Sequence, residues 1–227
     1  MALLQLYLEK LANFGAQWGV QLNAPSEALY KDFGTLDLGR QSMVLNNLKM
    51  MCEINEEILS TPEIAPKLNH KSEIKLLQRA LDKFGLRAKD SELDFKISDG
   101  DIFEIYNSEG LQIYRNWNFF KFCSYSLAEL LTYDWTTLYE RPTSVVNALM
   151  GLLPQIFGPD ATTIQYEIPE YVLTERYLER TKAFKVKMKL ASPLLDRQTG
   201  AVSSFITTGK VVPMSFDQHD GEKLHFI

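Results

Sequence analysis

The residue types that most often do chemistry in proteins are sparse in this chain, and their spacing does not suit a catalytic or metal site. The candidates are the histidines, the cysteines and the neighbouring carboxylates: His70, His219, His225, Cys52, Cys123, Asp99 with Asp101, and Glu56 with Glu57. A zinc site needs nitrogen and sulfur ligands at short, regular spacings, which these histidines and cysteines lack. The sequence also has no glycine-rich phosphate loop and no Gly-x-Ser-x-Gly nucleophile motif. It therefore predicts a protein that is not an enzyme and that binds no metal.

Composition favours a folded protein and disfavours nucleic acid as a partner. The 227 residues include 24 basic and 29 acidic side chains, a net charge of -5, so a phosphate backbone would be repelled unless a local basic patch overcame this charge. The two cysteines are far apart in sequence, which is typical of free thiols in a reducing compartment. Residues 1–20 contain Glu9 and a single basic residue, Lys10, so this stretch is expected to be neither a signal peptide nor a membrane span. We therefore expect a cytoplasmic protein that does not enter the membrane.

Residues 1–86 are predicted to be helical, because apolar side chains recur there at spacings of three and four. Within the helix predicted for residues 40–59, one set of side chains alternates in steps of four and three, as in a coiled-coil seam that contains an asparagine. The members of this set are Val44, Leu48, Met51, Asn55 and Ile58. Two interpretations stay open: the helix packs on its neighbours in the same chain, or it forms the contact of a homodimer.

After residue 93 the apolar side chains recur with a period of two, which is typical of strands. Short connections favour antiparallel pairing of neighbouring strands. We therefore expect an α+β fold, with one antiparallel sheet, helices packed on one face of it, and an all-helical region before it. The predicted order is strands at 101–106 and 111–114, short helices over 118–139, a longer helix at 143–157, and strands at 164–168, 184–190 and 201–212.

Several of these segments resemble the PAS family. The run from Asp101 to Asn107 resembles the first strand of a PAS domain, and residues 111–116 resemble its second strand, which commonly ends in asparagine. Residues 125–131, Tyr-Ser-Leu-Ala-Glu-Leu-Leu, are similar to the Tyr-Ser-x-Glu-Glu-Leu helix start of the family, with Ala128 in place of the first glutamate. Ser124 stands where a glycine is usual.

The resemblance implies three parts in the chain. Residues 91–214 would form a PAS-like sensory or interaction domain, and residues 1–90 a helical region that caps the sheet or forms a dimer. Residues 215–227 are expected to be a polar tail.

The resemblance also implies a ligand pocket between the sheet and its helices. The candidate pocket residues are Phe119, Phe122, Cys123, Tyr125, Trp135, Asn147 and Tyr166. The same aromatic side chains are typical of a core without a pocket, so both interpretations stay open. Histidine-ligated haem is not expected, because residues 118–157 contain no histidine, and the Asn-Cys-Arg-Phe-Leu-Gln motif of LOV flavin photochemistry is missing. No cofactor is predicted.

The function implied by the resemblance is non-catalytic signalling. The domain would sense a small ligand or mediate protein contacts, and its output would pass through a protein partner, with the chain acting as a homodimer. One alternative is a pure adaptor, which predicts a filled interior and an exposed apolar patch. The other alternative is an enzyme on a cone-shaped or hot-dog-like α+β fold, which predicts Tyr166 or Glu167 beside another carboxylate inside a cavity.

Overall fold

The computed structural model describes residues 1–61 and 67–212 of the chain, and an N-terminal helical region precedes a curled antiparallel sheet in it. The predicted α+β class and the predicted helical N-terminal region are therefore confirmed. The polar tail predicted for residues 215–227 lies outside the described residues.

The secondary structure elements follow one another with short connections. The helices of the described residues are α1 (Ala2–Gln17), α2 (Glu27–Thr35), α3 (Leu38–Leu59), α4 (His70–Lys83), α5 (Leu93–Lys96), a 3₁₀ helix (Trp117–Lys121), α6 (Leu127–Thr132), α7 (Trp135–Leu138) and α8 (Thr143–Phe157). The strands are β1 (Leu86–Ala88), β2 (Ile102–Asn107), β3 (Gln112–Arg115), β4 (Tyr139–Glu140), β5 (Ile164–Gln165), β6 (Tyr171–Glu175), β7 (Ala183–Asp196) and β8 (Val202–Val212).

Short polar side chains fix where the N-terminal helices begin. The side chains of Ser26, Asp37 and Asn69 each accept a hydrogen bond from the backbone N–H three residues later, at the starts of α2, α3 and α4. Such caps satisfy backbone donors that have no partner within the helix.

The strands form one antiparallel sheet in the order β3-β2-β8-β7-β6-β4, and β1 and β5 also pair with β7. The first long strand, β2, lies beside the last, β8, with Ile105 opposite Ile206. The β2–β3 hairpin turns at Asn107, whose side chain accepts hydrogen bonds from two backbone N–H groups of the turn, and Gly110 takes the positive φ of 75° that this turn requires.

The strand prediction differs from the structure in several places: β1 and β4 were not predicted, β7 extends to Asp196, and the segment before β7 is divided differently. The strand expected at 164–168 is limited to the two residues of β5, and β6 was not predicted. Pro169 lies between them and has no backbone N–H to donate to a neighbouring strand, so pairing with β7 is interrupted and resumes at Tyr171.

Both faces of the sheet are covered, one by α8 and the other by the N-terminal helical region, which was expected to cap the sheet or to form a dimer. Tyr106 and Phe205 pack under α8 on one face. On the other face Phe103 and Ile105 are fully buried, and Tyr114, which stacks on Phe103, lies near Glu73 of α4. The reason is visible in β2, whose apolar residues occupy both faces instead of alternating with polar ones.

The predicted dimerisation residues lie within the chain itself. Four of them are buried and the fifth packs partly buried on the same core: Val44, Leu48, Met51 and Asn55, and then Ile58. The Asn55 side-chain oxygen accepts hydrogen bonds from the indole N–H groups of Trp18 (2.7 Å) and Trp117 (3.0 Å). The chain's own elements thus cover this seam, and a homodimer, which stays a prediction, would need another surface.

Candidate functional site

A cavity of about 90 Å³ lies between the sheet and helix α8. Alternate residues of a strand point to the same face, so Ile102, Glu104 and Tyr106 of β2 all reach it. Neighbouring strands add further side chains, among them Leu173, Val186 and Phe205. Helix α8 closes the other side with Leu149, Leu153 and Ile156, which recur at helical spacing. Met150 also lines the cavity and is half exposed, so the α8 wall borders solvent.

One wall of the cavity carries a buried ion pair. Glu104 and Arg115 are direct partners across the β2–β3 ladder, and their carboxylate and guanidinium groups are in contact. Arg115 also donates to the Gln112 side-chain oxygen (3.0 Å), and its guanidinium lies 3.7 Å from the centre of the Phe119 ring. A buried charge is tolerated only when it is paired in this way.

A second arginine, Arg141, lines the cavity between β4 and α8. Its guanidinium donates to the Trp135 carbonyl (3.1 Å) and lies 4.5 Å from the centre of the Trp135 ring and 5.3 Å from that of Tyr139. Among residues 1–61 and 67–212, no carboxylate forms an ion pair with Arg141. Aromatic faces stabilise this cation without neutralising it.

Four tyrosines add hydroxyl groups to the cavity: Tyr106, Tyr139, Tyr166 and Tyr171. Burial raises the pKa of each of them above its ordinary value, and at Tyr171 the nearby Arg141 opposes that increase. All four are therefore neutral near pH 7 and serve as hydrogen-bonding groups. The site combines apolar walls, neutral hydroxyls and arginine side chains, which is the chemistry of a small-molecule binding site.

Three of the seven predicted pocket residues line this cavity, namely Phe119, Trp135 and Tyr166. Asn147 does not: it is exposed on α8, because it lies two residues from Leu149 and so on nearly the opposite side of the helix.

The other three predicted pocket residues, Phe122, Cys123 and Tyr125, belong to the core beside the cavity and do not line it. The Tyr125 hydroxyl donates to the Leu138 carbonyl (2.8 Å) and accepts from the Tyr177 backbone N–H (2.9 Å), so this side chain joins the end of α7 to the loop between β6 and β7. The Cys123 sulfur lies 3.1 Å from the Tyr139 hydroxyl.

Neither cysteine has the properties of a nucleophile. Both are free thiols and buried. Burial raises the pKa of Cys52 to about 12 and raises that of Cys123 further. A reactive cysteine needs the opposite shift, because the thiolate is the attacking species.

The charged groups of the cavity, Glu104, Arg115 and Arg141, were not predicted. A signal for the first two does exist, since opposite charges on the two arms of a hairpin of otherwise apolar strands indicate a cross-strand pair. Arg141 gives no such signal, because its position depends on how the loop from β4 into α8 packs on Trp135 and Tyr139.

Two further features bear on the class of protein. Within the part of the chain that the structure describes, no three histidine, cysteine or carboxylate side chains are grouped as a metal site would require. The described helices likewise include none whose length and apolar character would let it cross a membrane.

The sequence matches no protein-family model, and no curated protein is detectably similar to it.

Proposed function

We propose that this protein is a non-catalytic sensor whose PAS-like domain binds a small molecule in the cavity between the sheet and α8. The observation that carries the proposal is the cavity itself, with apolar walls and the charged side chains of Glu104, Arg115 and Arg141. Charged groups among apolar walls are costly unless they are paired, and a bound molecule can supply a partner.

The order of elements supports the PAS-like assignment. From β2 to β8, two strands, a group of short helices, one longer helix and further strands follow one another, as the resemblance implies, and only the two-residue strand β4 is added before the longer helix. The capping box at Ser126 and Glu129 lies within the Tyr125–Leu131 motif that carries the resemblance. The N-terminal helices cover the second face of the sheet, which is one role that such an extension has in PAS proteins.

We further propose that the output passes through a protein partner and that the chain forms a homodimer in the cytoplasm. The free thiols Cys52 and Cys123 suit a reducing compartment. Helix α8 forms one wall of the cavity and is open to solvent on its other side, so a ligand that repacks Leu149 or Leu153 would alter a surface that a partner can contact.

Native mass spectrometry of freshly purified protein, compared with the same sample denatured, tests this proposal. A mass excess that disappears on denaturation is expected, together with a mass near twice that of one chain. A bare chain that also fails to bind any compound of a broad small-molecule library would contradict the sensor. A monomer would contradict the homodimer alone.

One observation favours a second candidate, an enzyme on this α+β fold. Tyr166 and the carboxylate of Glu104 line the same cavity, which is the arrangement that the enzyme alternative requires. Glu104 is, however, held in an ion pair with Arg115, so its charge is already engaged. Recovery of a bound ligand chemically unchanged after long incubation favours the sensor, and its conversion to a product favours the enzyme.

A further inference from the structure

We propose that the ligand of this cavity is a small monoanionic carboxylate with a short apolar body. The inference rests on the proposed function, since it names the chemical class that the same cavity would bind.

The cavity wall carries a net positive charge. Arg115 and Arg141 contribute two positive charges and Glu104 one negative charge, and the tyrosines are neutral. The wall therefore has one surplus positive charge, surrounded mainly by apolar side chains. In such surroundings a charge is costly unless it is paired, and a monoanion supplies the partner.

The two arginines of the cavity, Arg115 and Arg141, retain hydrogen-bonding capacity. Each has a buried Nε with no hydrogen-bond partner among the described residues. Arg115 itself is 5% exposed, so its Nε has no access to bulk water. Guanidinium groups bind carboxylates in pairs of parallel hydrogen bonds, and Nε is one of the donors in that geometry.

The volume and the lining of the cavity suit a small ligand with an apolar body. The cavity of about 90 Å³ is smaller than a dry cavity of about 150 Å³ that is known to hold benzene. A branched body of three or four carbons is therefore a better fit than an aromatic ring. The apolar lining from Leu153, Val186 and Phe205 matches such a body and offers little to a strongly hydrated dianion such as phosphate.

The test uses the full chain and three probes: isobutyrate, its neutral amide isobutyramide, which has nearly the same shape, and the smaller cation isopropylamine. Saturation-transfer NMR and titration at constant ionic strength measure their binding. We expect saturable binding of isobutyrate at least tenfold tighter than that of isobutyramide, and no saturable binding of isopropylamine.

Two variants test whether isobutyrate binds in the cavity. Arg141→Gln is expected to weaken isobutyrate binding by tenfold or more while changing isobutyramide binding little. Arg87→Gln is the matched control, because Arg87 is exposed on β1 and does not line the cavity. If Arg141→Gln does not fold, the difference in binding between isobutyrate and isobutyramide on the wild-type chain still tests the inference.

The outcomes separate the two proposals. If the amide or the amine binds as tightly as the acid, the carboxylate inference is wrong and the ligand-binding function stands. If the acid binds selectively but Arg87→Gln weakens it as much as Arg141→Gln, the anion binds outside the cavity and the inference is wrong. If no probe and no member of a broader library binds, both proposals fail.

Discussion

Buried polar side chains that each contact several elements fix how those elements pack together. Asn55 of α3 accepts from the indoles of Trp18 and Trp117, so one side chain joins the end of α1 to the 3₁₀ helix. Glu73 of α4 accepts from the Asn118 backbone N–H (2.9 Å). Such groups stabilise a fold mainly because leaving their partners unpaired in the interior is costly.

Replacing Asn55 by alanine leaves two buried indole donors without an acceptor. We expect Asn55→Ala to lower the free energy of unfolding by about 2 to 4 kcal/mol, measured by urea denaturation. Asn46→Ala, at an exposed position of the same helix, should change it by less than about 0.5 kcal/mol. Dissociation of a dimer by Asn55→Ala, with no loss of stability in each chain, would contradict this role and favour the coiled-coil interpretation.

We expect the stability of the fold to depend on pH because the carboxyl group of Glu73 is buried. Burial raises the pKa of Glu73 to about 8, against the hydrogen bonds from Asn118 and Asn116, whereas in the unfolded chain the pKa is about 4.3. Between these values the folded chain retains a proton that the unfolded chain has released. The free energy of unfolding therefore falls as pH rises from about 4.5 to about 8, by at most about 1.4 kcal/mol per pH unit.

Urea denaturation at several pH values checks this dependence. Glu73→Gln, which mimics the protonated side chain, should flatten the decrease, and Glu92→Gln, at an exposed position, should leave it unchanged. An equal decrease in Glu73→Gln and in the wild-type chain would assign the effect to other groups.

At the scale of elements, Glu129 holds two helix starts together. One carboxylate oxygen accepts from the Ser126 N–H (2.7 Å) at the start of α6, and the other accepts from the Ser26 N–H (2.9 Å) at the start of α2. The sequence predicts the first contact, because Ser126 and Glu129 have capping-box spacing. The second contact joins residues about a hundred positions apart and has no local signal.

Removing this double contact should loosen both helix starts. We expect Glu129→Ala to lower the free energy of unfolding by about 1 to 3 kcal/mol and to accelerate amide hydrogen exchange at Ser26 and Ser126. Exchange at the start of α4, which Asn69 caps independently, should not change. Glu27→Ala is the control, because Glu27 is exposed in the first turn of α2. Faster exchange at Ser126 alone would mean that Glu129 does not hold α2.

Features that depend on residues close together in the sequence could be predicted, and features that depend on residues far apart in the sequence could not. Helix α3 and strands β2 and β8 were predicted nearly to their ends, because local periodicity and turn residues determine them. Phe119, Trp135 and Tyr166 were predicted to line a pocket and do so. Asn147 was placed in the pocket wrongly, because the sequence does not tell which side of α8 packs on the sheet. The same holds for Asn55, whose position in a helical seam does not tell which chain covers it.

At the scale of the whole molecule, the N-terminal helices and the sheet share one hydrophobic core. Residues of α1, α3 and α4 belong to the same buried cluster as those of β2, β7 and β8. The cavity lies on the α8 side of the sheet and the N-terminal helices on the other. A change in the sheet caused by a ligand would therefore reach the N-terminal helices through direct packing, which suits a sensor that acts on a partner.

Filling the cavity tests the central claim most directly. Val186→Phe adds a ring where the Val186 side chain lines the cavity, and Val172→Phe adds the same ring at an exposed position of the adjacent strand β6. Each variant and the wild-type chain would be titrated with the compounds that the wild-type chain binds best. We expect Val186→Phe to remain folded and to lose binding by tenfold or more, and Val172→Phe to bind as the wild-type chain does. Equal binding by a folded Val186→Phe variant would contradict the claim that this cavity holds the ligand.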